Sequence, residues 1–327
     1  MKKFFRFCGG LALSLVILGL IFLGVGMLTV GSDKMNETLQ KLTKGRVQMD
    51  LQGIHLLDDD VKVKLGSFLE DNAIYDIDES SMFSKKHKVW QGNVERTLIA
   101  EGDVTKLSLE LGGCKFELAD SATDEYYVEY RGKGKTQAYA DKGTLYVKVL
   151  NGSNWNIADW NEEANDSHMI LYLPMNTCYE EIKAELGAGQ MNLDNLSANT
   201  MEVEIGAGQV VANGLIAENL TLGVGAGDVV LEESILKELE LEVGAGNCEI
   251  AGRIDGNVKA NCAAGNIVVE VDGKESDFNY DMQCAVGKIQ IEDTEYSGLS
   301  QEQELDHGAL KEMELTCAAG NLEVTFQ

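Results

Sequence analysis

Seven copies of one short motif in the C-terminal half constrain this chain more than anything else in it. They are Gly187-Ala188-Gly189, Gly206-Ala207-Gly208, Gly225-Ala226-Gly227, Gly244-Ala245-Gly246, Ala263-Ala264-Gly265, Ala285-Val286-Gly287 and Ala318-Ala319-Gly320, and the first five are spaced by a constant 19 residues. Self-similarity at a short fixed period means one supersecondary unit stacked on copies of itself, which together bury a core that no single copy could bury alone.

The flanks fix the kind of unit. Upstream of the tripeptide apolar residues alternate with polar ones, as at Leu220, Leu222 and Val224 or Leu239, Leu241 and Val243. That is strand period, not helix period. Alternation resumes downstream, at Val229 and Leu231 or Cys248 and Ile250, but its phase slips by one across Gly244–Gly246. A slip of phase marks a corner. The third residue is glycine in every copy (Gly189, Gly208, Gly227, Gly246, Gly265, Gly287 and Gly320), whereas the first two positions relax to alanine or valine. Such a position needs either a positive φ or a backbone with no room for a Cβ.

Each unit therefore reads as one coil of strand, glycine corner, strand and return loop. Successive coils pair in parallel at about 4.8 Å, and crossover sense favours a right-handed winding. The chain is expected to be all-β, a single-chain parallel β-solenoid of ~19-residue coils preceded by one transmembrane helix. Longer spacings before Ala285 and Ala318 are assigned to return loops such as 295–308. The repeat starts early: Lys106–Leu118 (KLSLELGGCKFEL) carries a Gly112-Gly113 corner, with Cys114 where the other copies have glycine, which means either a looser corner or a register displaced by one. Further strands are expected at 126–130, 144–150 and 169–173, the last closed by Pro174, the single proline.

The KLSLELGGCKFEL rung, the strand ending in Leu173-Pro174 and the tandem L-x-V-GAG rungs, behind an apolar N-terminus, resemble a bacterial β-strand-repeat family of unknown function labelled "putative adhesin". The resemblance covers roughly residues 106–327. It implies a β-solenoid on a membrane anchor at the envelope of Gram-positive bacteria, sometimes connected with envelope stress and its regulation. The family brings no established catalytic residues.

Phe7–Gly31 is free of charged residues and follows Lys2, Lys3 and Arg6. It is long enough to span about 30 Å of hydrocarbon and longer than the apolar core of a cleavable signal. The reading is a cytoplasmic N-terminus at 1–6, a transmembrane signal anchor at 7–31, a juxtamembrane stalk or cap at 32–91 and a solenoid domain at 92–327. The protein is then placed in the cell membrane as a single-pass protein with its C-terminal domain extracytoplasmic. Lys34, Lys41, Lys44 and Arg46 blunt the positive-inside asymmetry.

The formal net charge is −27, and about −30 once Lys2, Lys3 and Arg6 are set aside. Such a body disfavours nucleic acid and direct docking on anionic lipid. The Lys85-Lys86-His87-Lys88 cluster is a small exception. A tryptophan- and acid-bearing stretch at 154–166 offers Trp155 and Trp160 as a candidate binding loop, against a reading in which both fold back onto the solenoid. Cys262, Cys284 and Cys317 precede their tripeptides and should stack inward as buried thiols. A Cys262–Cys284 bridge is the alternative, since neighbouring rungs lie within disulfide range. A metal is disfavoured by the spacings.

No catalytic, cofactor-binding or metal-binding residues are assigned. His55, His87, His168 and His307 are scattered, and no hydrolase, zinc-protease or P-loop motif occurs. The expected function is a non-catalytic binding, scaffolding or envelope-stress module without cofactors. An envelope protein or glycan is the candidate partner, and a polysaccharide-active β-helix enzyme is the alternative.

Overall fold

The computed structural model describes residues 47–50, 53–56, 83–150, 167–297 and 301–327. Two compact units divide the chain, Met1–Asp76 and Ile77–Gln327. In the first unit Val47–Asp50 (β1) and Gly53–Leu56 (β2) form an antiparallel hairpin. No helix among the described residues is long and apolar enough to cross a membrane. The apolar stretch 7–31 lies outside the described residues.

The second unit is built from strands. They are Trp90–Gln91 (β3), Val94–Glu101 (β4), Lys106–Ser121 (β5), Glu125–Arg131 (β6), Lys135–Asp141 (β7), Thr144–Leu150 (β8), His168–Pro174 (β9), Cys178–Asn192 (β10), Ser197–Asn213 (β11), Ile216–Val224 (β12) and Asp228–Val243 (β13), followed by Asn247–Ile254 (β14), Val258–Cys262 (β15), Asn266–Val271 (β16), Phe278–Cys284 (β17), Lys288–Ile291 (β18), Thr294–Ser297 (β19), Gln301–Leu305 (β20), Lys311–Cys317 (β21) and Asn321–Phe326 (β22).

The repeat sets the register. Parallel partners in the tidy coils are one period apart, as in Leu220↔Leu239 and Val229↔Cys248, so equivalent side chains stack. Leu107, Ile182, Met201, Leu220 and Leu239 form one such column, each buried. Burying a leucine-sized side chain stabilises by about 1.5–3 kcal/mol, and the columns repeat this on every rung. Burial also follows the slip of phase: Val243, Gly246 and Cys248 are buried while Ala245 and Asn247 are exposed. Gly189 pairs with Cys114, so Cys114 occupies the glycine position of the first motif-bearing rung.

Spatial order departs from chain order at both ends. Next to β10 lies β5, and beyond β5 lies the rung made of β8 and β9, although these follow β5 in sequence. At the other end β15 and β16 pair with β21 and β22, which in turn pair with β17 and β18. The C-terminal coil is therefore slotted between two coils that precede it. Both ends finish in antiparallel strands: β7 on β8 and β6 on β9 at one, β20 on β17 and β19 on β18 at the other. Residues 294–297 and 301–305, assigned by sequence to a return loop, are these closing strands. Antiparallel strands of this kind cover the open edges that a parallel stack otherwise leaves.

Candidate functional site

The corners show why glycine recurs. A Cβ on Gly227 would lie 2.3 Å from the Gly208 carbonyl oxygen, and on Gly246, Gly265 and Gly320 it would lie 2.1 Å from the oxygen of the rung beneath. Backbone approaching backbone, rather than φ, sets this requirement. Gly189 adds a φ of +114°. Gly208 would meet the Leu186 Cδ2 at 2.7 Å, and Gly287 the Gly320 oxygen at 2.4 Å. The first glycines are less crowded, at 2.7–2.8 Å for Gly187, Gly206, Gly225 and Gly244, and this is the position that relaxes to alanine elsewhere.

The residues after the tripeptides at Asp228, Asn247, Asn266 and Asn321 point outward and form a ladder. Asn247 Nδ2 donates to Asp228 Oδ1 at 2.7 Å, Asn266 Nδ2 to Asn247 Oδ1 at 2.8 Å, and Asn321 Nδ2 to Asn266 Oδ1 at 2.8 Å. In these three bonds the later residue donates to the earlier one; Gln190 Nε2 donates to Gln209 Oε1 at 3.5 Å in the opposite sense.

On the face before the corner the outward side chains of β5, β8, β10 and β11 include many charges. Lys148 Nζ reaches Glu110 Oε1 at 2.6 Å, and the in-register column continues through Glu185 and Glu204. Glu185 sits between two carboxylates, and burial, then Glu204 and Glu110, push its carboxyl above the usual range. One column over, Lys106 pairs with Glu181 at 3.0 Å, and Lys183 bridges Glu181 and Glu202. Hydrogen bonding from Lys106 holds the Glu181 carboxyl below its ordinary value. Sequence reading passed over the carboxylate column. Its signal was the glutamate recurring two residues before the tripeptide, at Glu185, Glu204 and Glu242.

His87, His168 and His307 are apart and each is engaged. His87 stacks on Tyr139 with centroids 3.9 Å apart, His168 Nε2 lies 2.8 Å from Glu117 Oε2, and His307 bonds the Phe278 carbonyl oxygen at 3.0 Å. On the antiparallel end Arg96 lies between Tyr127 and Tyr172, 4.5 and 4.0 Å from their ring centroids. His55 is in the β2 hairpin strand. Trp155 and Trp160 fall in 151–166, outside the described residues.

Cys262, Cys317 and Cys284 are buried on successive rungs, in that spatial order. Cys317 therefore stands between the two cysteines of the Cys262–Cys284 bridge considered from sequence, and the inserted coil keeps them from being neighbours. None of the three is in a disulfide, and neither are Cys114, Cys178 and Cys248. Burial pushes the Cys114 and Cys248 thiols up to about 12. The hydrogen bond shared with Cys317, then burial, hold Cys262 protonated. Among the described residues no group of three or more histidine, cysteine or carboxylate side chains converges as a metal site.

Residues 104–253, from just before β5 into β14, match the family model described as Toastrack DUF4097. Over that segment, a little under half of its length, the chain is similar to the Toastrack family. Its stack continues past the matched segment through β15–β22. No curated protein matches the chain. Among solved structures, a putative cell adhesion protein from Clostridium sporogenes is 13% identical, covering 74% of this chain and 100% of that one at a TM-score of 0.34. A putative adhesin from Bacteroides fragilis is 10% identical, covering 75% of this chain and 98% of that one at 0.38. Overlap this low decides nothing about what the chain does.

Proposed function

We propose that the chain is a membrane-anchored extracytoplasmic β-solenoid that works as a non-catalytic, adhesin-like binding or scaffolding module of the cell envelope. One observation carries this reading. The outward side chains of the stack are spent on one another, as the amide ladder and the Lys106–Glu181–Lys183–Glu202 network show, while Cys114, Cys248, Cys262, Cys284 and Cys317 point inward. Chemistry-bearing groups held this way favour a rigid spacer whose contacts are made at loops and ends. The loop with Trp155 and Trp160 remains the candidate contact, and an envelope protein or glycan the candidate partner. Anchoring by residues 7–31 and a part in envelope stress belong to the same reading.

The test is to assay the full-length protein in vesicles against envelope glycans for both retention and turnover. Retention without new reducing or unsaturated ends is expected, weakened by joint replacement of Trp155 and Trp160 with alanine at an unchanged melting transition. Glycan turnover would establish the polysaccharide-active alternative instead. Carbonate washing should leave the intact chain in the membrane fraction, and a soluble form beginning near residue 30 would show a cleaved signal.

A further inference from the structure

The strand pairing brings together two basic segments that are distant in sequence. Residues 83–93 contain Lys85, Lys86 and Lys88 and no carboxylate; residues 131–140 contain Arg131, Lys133 and Lys135 and no carboxylate. Antiparallel pairing of β3 with β7 sets Trp90 against Thr136 and Gln91 against Lys135. Gly92 N donates to the Gly134 oxygen at 3.0 Å and Gly132 N to Asn93 Oδ1 at 2.9 Å, extending the junction. Lys85, Lys86 and Lys88 thus share one edge of an antiparallel end cap with Arg131, Lys133 and Lys135, the last three engaged with partners of their own, in a chain whose net charge is −27.

The strip is built rather than draped. The Gln137 side chain is fully buried. It accepts from Ser84 N at 2.8 Å and donates to the Ser84 and His87 carbonyl oxygens at 2.8 and 3.0 Å. The His87 ring stacks on Tyr139, and Lys88 Nζ lies 5.2 Å from the Trp90 ring centroid. Lys85, Lys86, Lys88 and Lys133 are exposed, and Val89 beside them is 40% exposed. Arg131 is held by Glu129 at 2.8 Å, and Glu95 and Asp141 bound the strip in sequence. Lysines flanked by an apolar residue and a tryptophan are the composition that membrane–water interfaces favour.

We infer that this edge is a docking surface for the anionic phospholipid headgroups of the membrane that carries the chain. The inference rests on the anchored reading above. Net charge alone argues against such contact, but charges more than a Debye length of ~8–10 Å from the surface are largely screened, so the local strip governs what happens at contact. The acidic body is repelled by the same surface. Attraction at one edge and repulsion along the rest would orient the solenoid away from the bilayer. A tether also raises the effective concentration of headgroups at this edge, which a free polyanion or a second copy of the chain lacks.

The test reconstitutes the full-length protein in vesicles of phosphatidylcholine alone and of phosphatidylcholine mixed with phosphatidylglycerol, followed by amine acylation read out peptide by peptide. Each basic residue near an anionic surface contributes about fivefold to its occupancy. Acylation of Lys85, Lys86, Lys88 and Lys133 should therefore fall roughly fivefold or more in the anionic vesicles and recover in high salt, while the exposed Lys237 stays unchanged. A triple Lys85/Lys86/Lys88→Gln variant should melt like the wild type and lose the protection of Lys133. Equal acylation in both vesicles, with the protein resistant to carbonate, overturns the inference and leaves the anchor intact. Protein released by carbonate sinks the anchor, and docking then stands only if anionic vesicles still protect the strip. Protection by added polyphosphate but not by anionic vesicles, or protection that tracks protein density in neutral vesicles, assigns the edge to a soluble polyanion or a second copy and overturns it too.

Discussion

Two glycines four residues apart should respond in opposite senses to the same substitution. Gly223 lies in β12 and faces outward, and a Cβ there would meet nothing closer than the Glu204 Cγ at 3.8 Å. Replacing it with alanine removes unfolded-state freedom at no steric cost and should stabilise by roughly 0.5–1 kcal/mol. Gly227 is the third corner glycine. A Cβ there would sit 2.3 Å from the Gly208 oxygen, 2.8 Å from the Ile205 Cγ2 and 3.1 Å from the Gly208 nitrogen. Two of these atoms are backbone and cannot swing aside. Relief requires the rung to move by about an ångström, away from contacts of ordinary van der Waals length. That motion strains the bonds from Ala226 N to the Gly206 oxygen and from Asn247 N to the Gly227 oxygen, now 2.8 and 3.0 Å. Overpacking costs about 1–3 kcal/mol and a weakened backbone bond about 0.5–1.5 kcal/mol, so Gly227→Ala should destabilise by roughly 2–4 kcal/mol. The neighbouring Ala226→Val faces solvent and should stay within about 0.5 kcal/mol of wild type. Far-UV circular dichroism of the three variants and wild type through thermal and urea melts measures the differences. Equal shifts for Gly223→Ala and Gly227→Ala would refute the close-approach argument.

Glu185→Gln should stabilise near neutral pH by a few tenths to about 1 kcal/mol, the scale of like charges directly opposite on a sheet. The folded state raises the Glu185 carboxyl, so wild type recovers the deficit as pH falls through that raised value, and the variant's advantage should vanish below the unfolded value. A gap between their melting curves that persists unchanged under acid would contradict this. Asn247→Ala removes a donor to Asp228 and an acceptor for Asn266 and should cost about 1–2 kcal/mol; a neutral effect would show that the ladder contributes nothing. A thiol reagent at native conditions should modify the exposed Cys178 rapidly and Cys114, Cys248, Cys262, Cys284 and Cys317 only on denaturation, and fast labelling of any of those five would contradict the inward assignment. Ending the chain after Gly308 deletes β21 and β22 and should abolish hydrogen-exchange protection in β17 and β18, whose parallel partners they are.

The coil and its inward columns were legible because the period carries them: equivalent residues one period apart must stack. The register was legible too, down to Cys114 in the place of a corner glycine. The order of the rungs was not. Ala263-Ala264-Gly265, Ala285-Val286-Gly287 and Ala318-Ala319-Gly320 present the same backbone groups and the same apolar alternation, so any two can pair, and nothing local says which pairs with which. The choice is made by longer-range features, namely the closing strands β19 and β20 and the length of chain they take up. The basic edge was half visible as Lys85–Lys88. Its other half, Arg131–Lys135, reads as an ordinary turn until β3 is laid beside β7.

The slotted C-terminal coil also bears on biosynthesis. Ribosomes deliver the chain from its N-terminus, so β17 and β18 emerge well before the segment that must lie beneath them. Until β21 and β22 appear, the nascent molecule has two naked sheet edges facing each other across a missing layer, each able to recruit a stray strand. Residues 311–326 are thus a keystone: a product truncated or stalled before them is left unfinished in its interior rather than merely shortened, and proteases are given an opening that the paired rungs deny them.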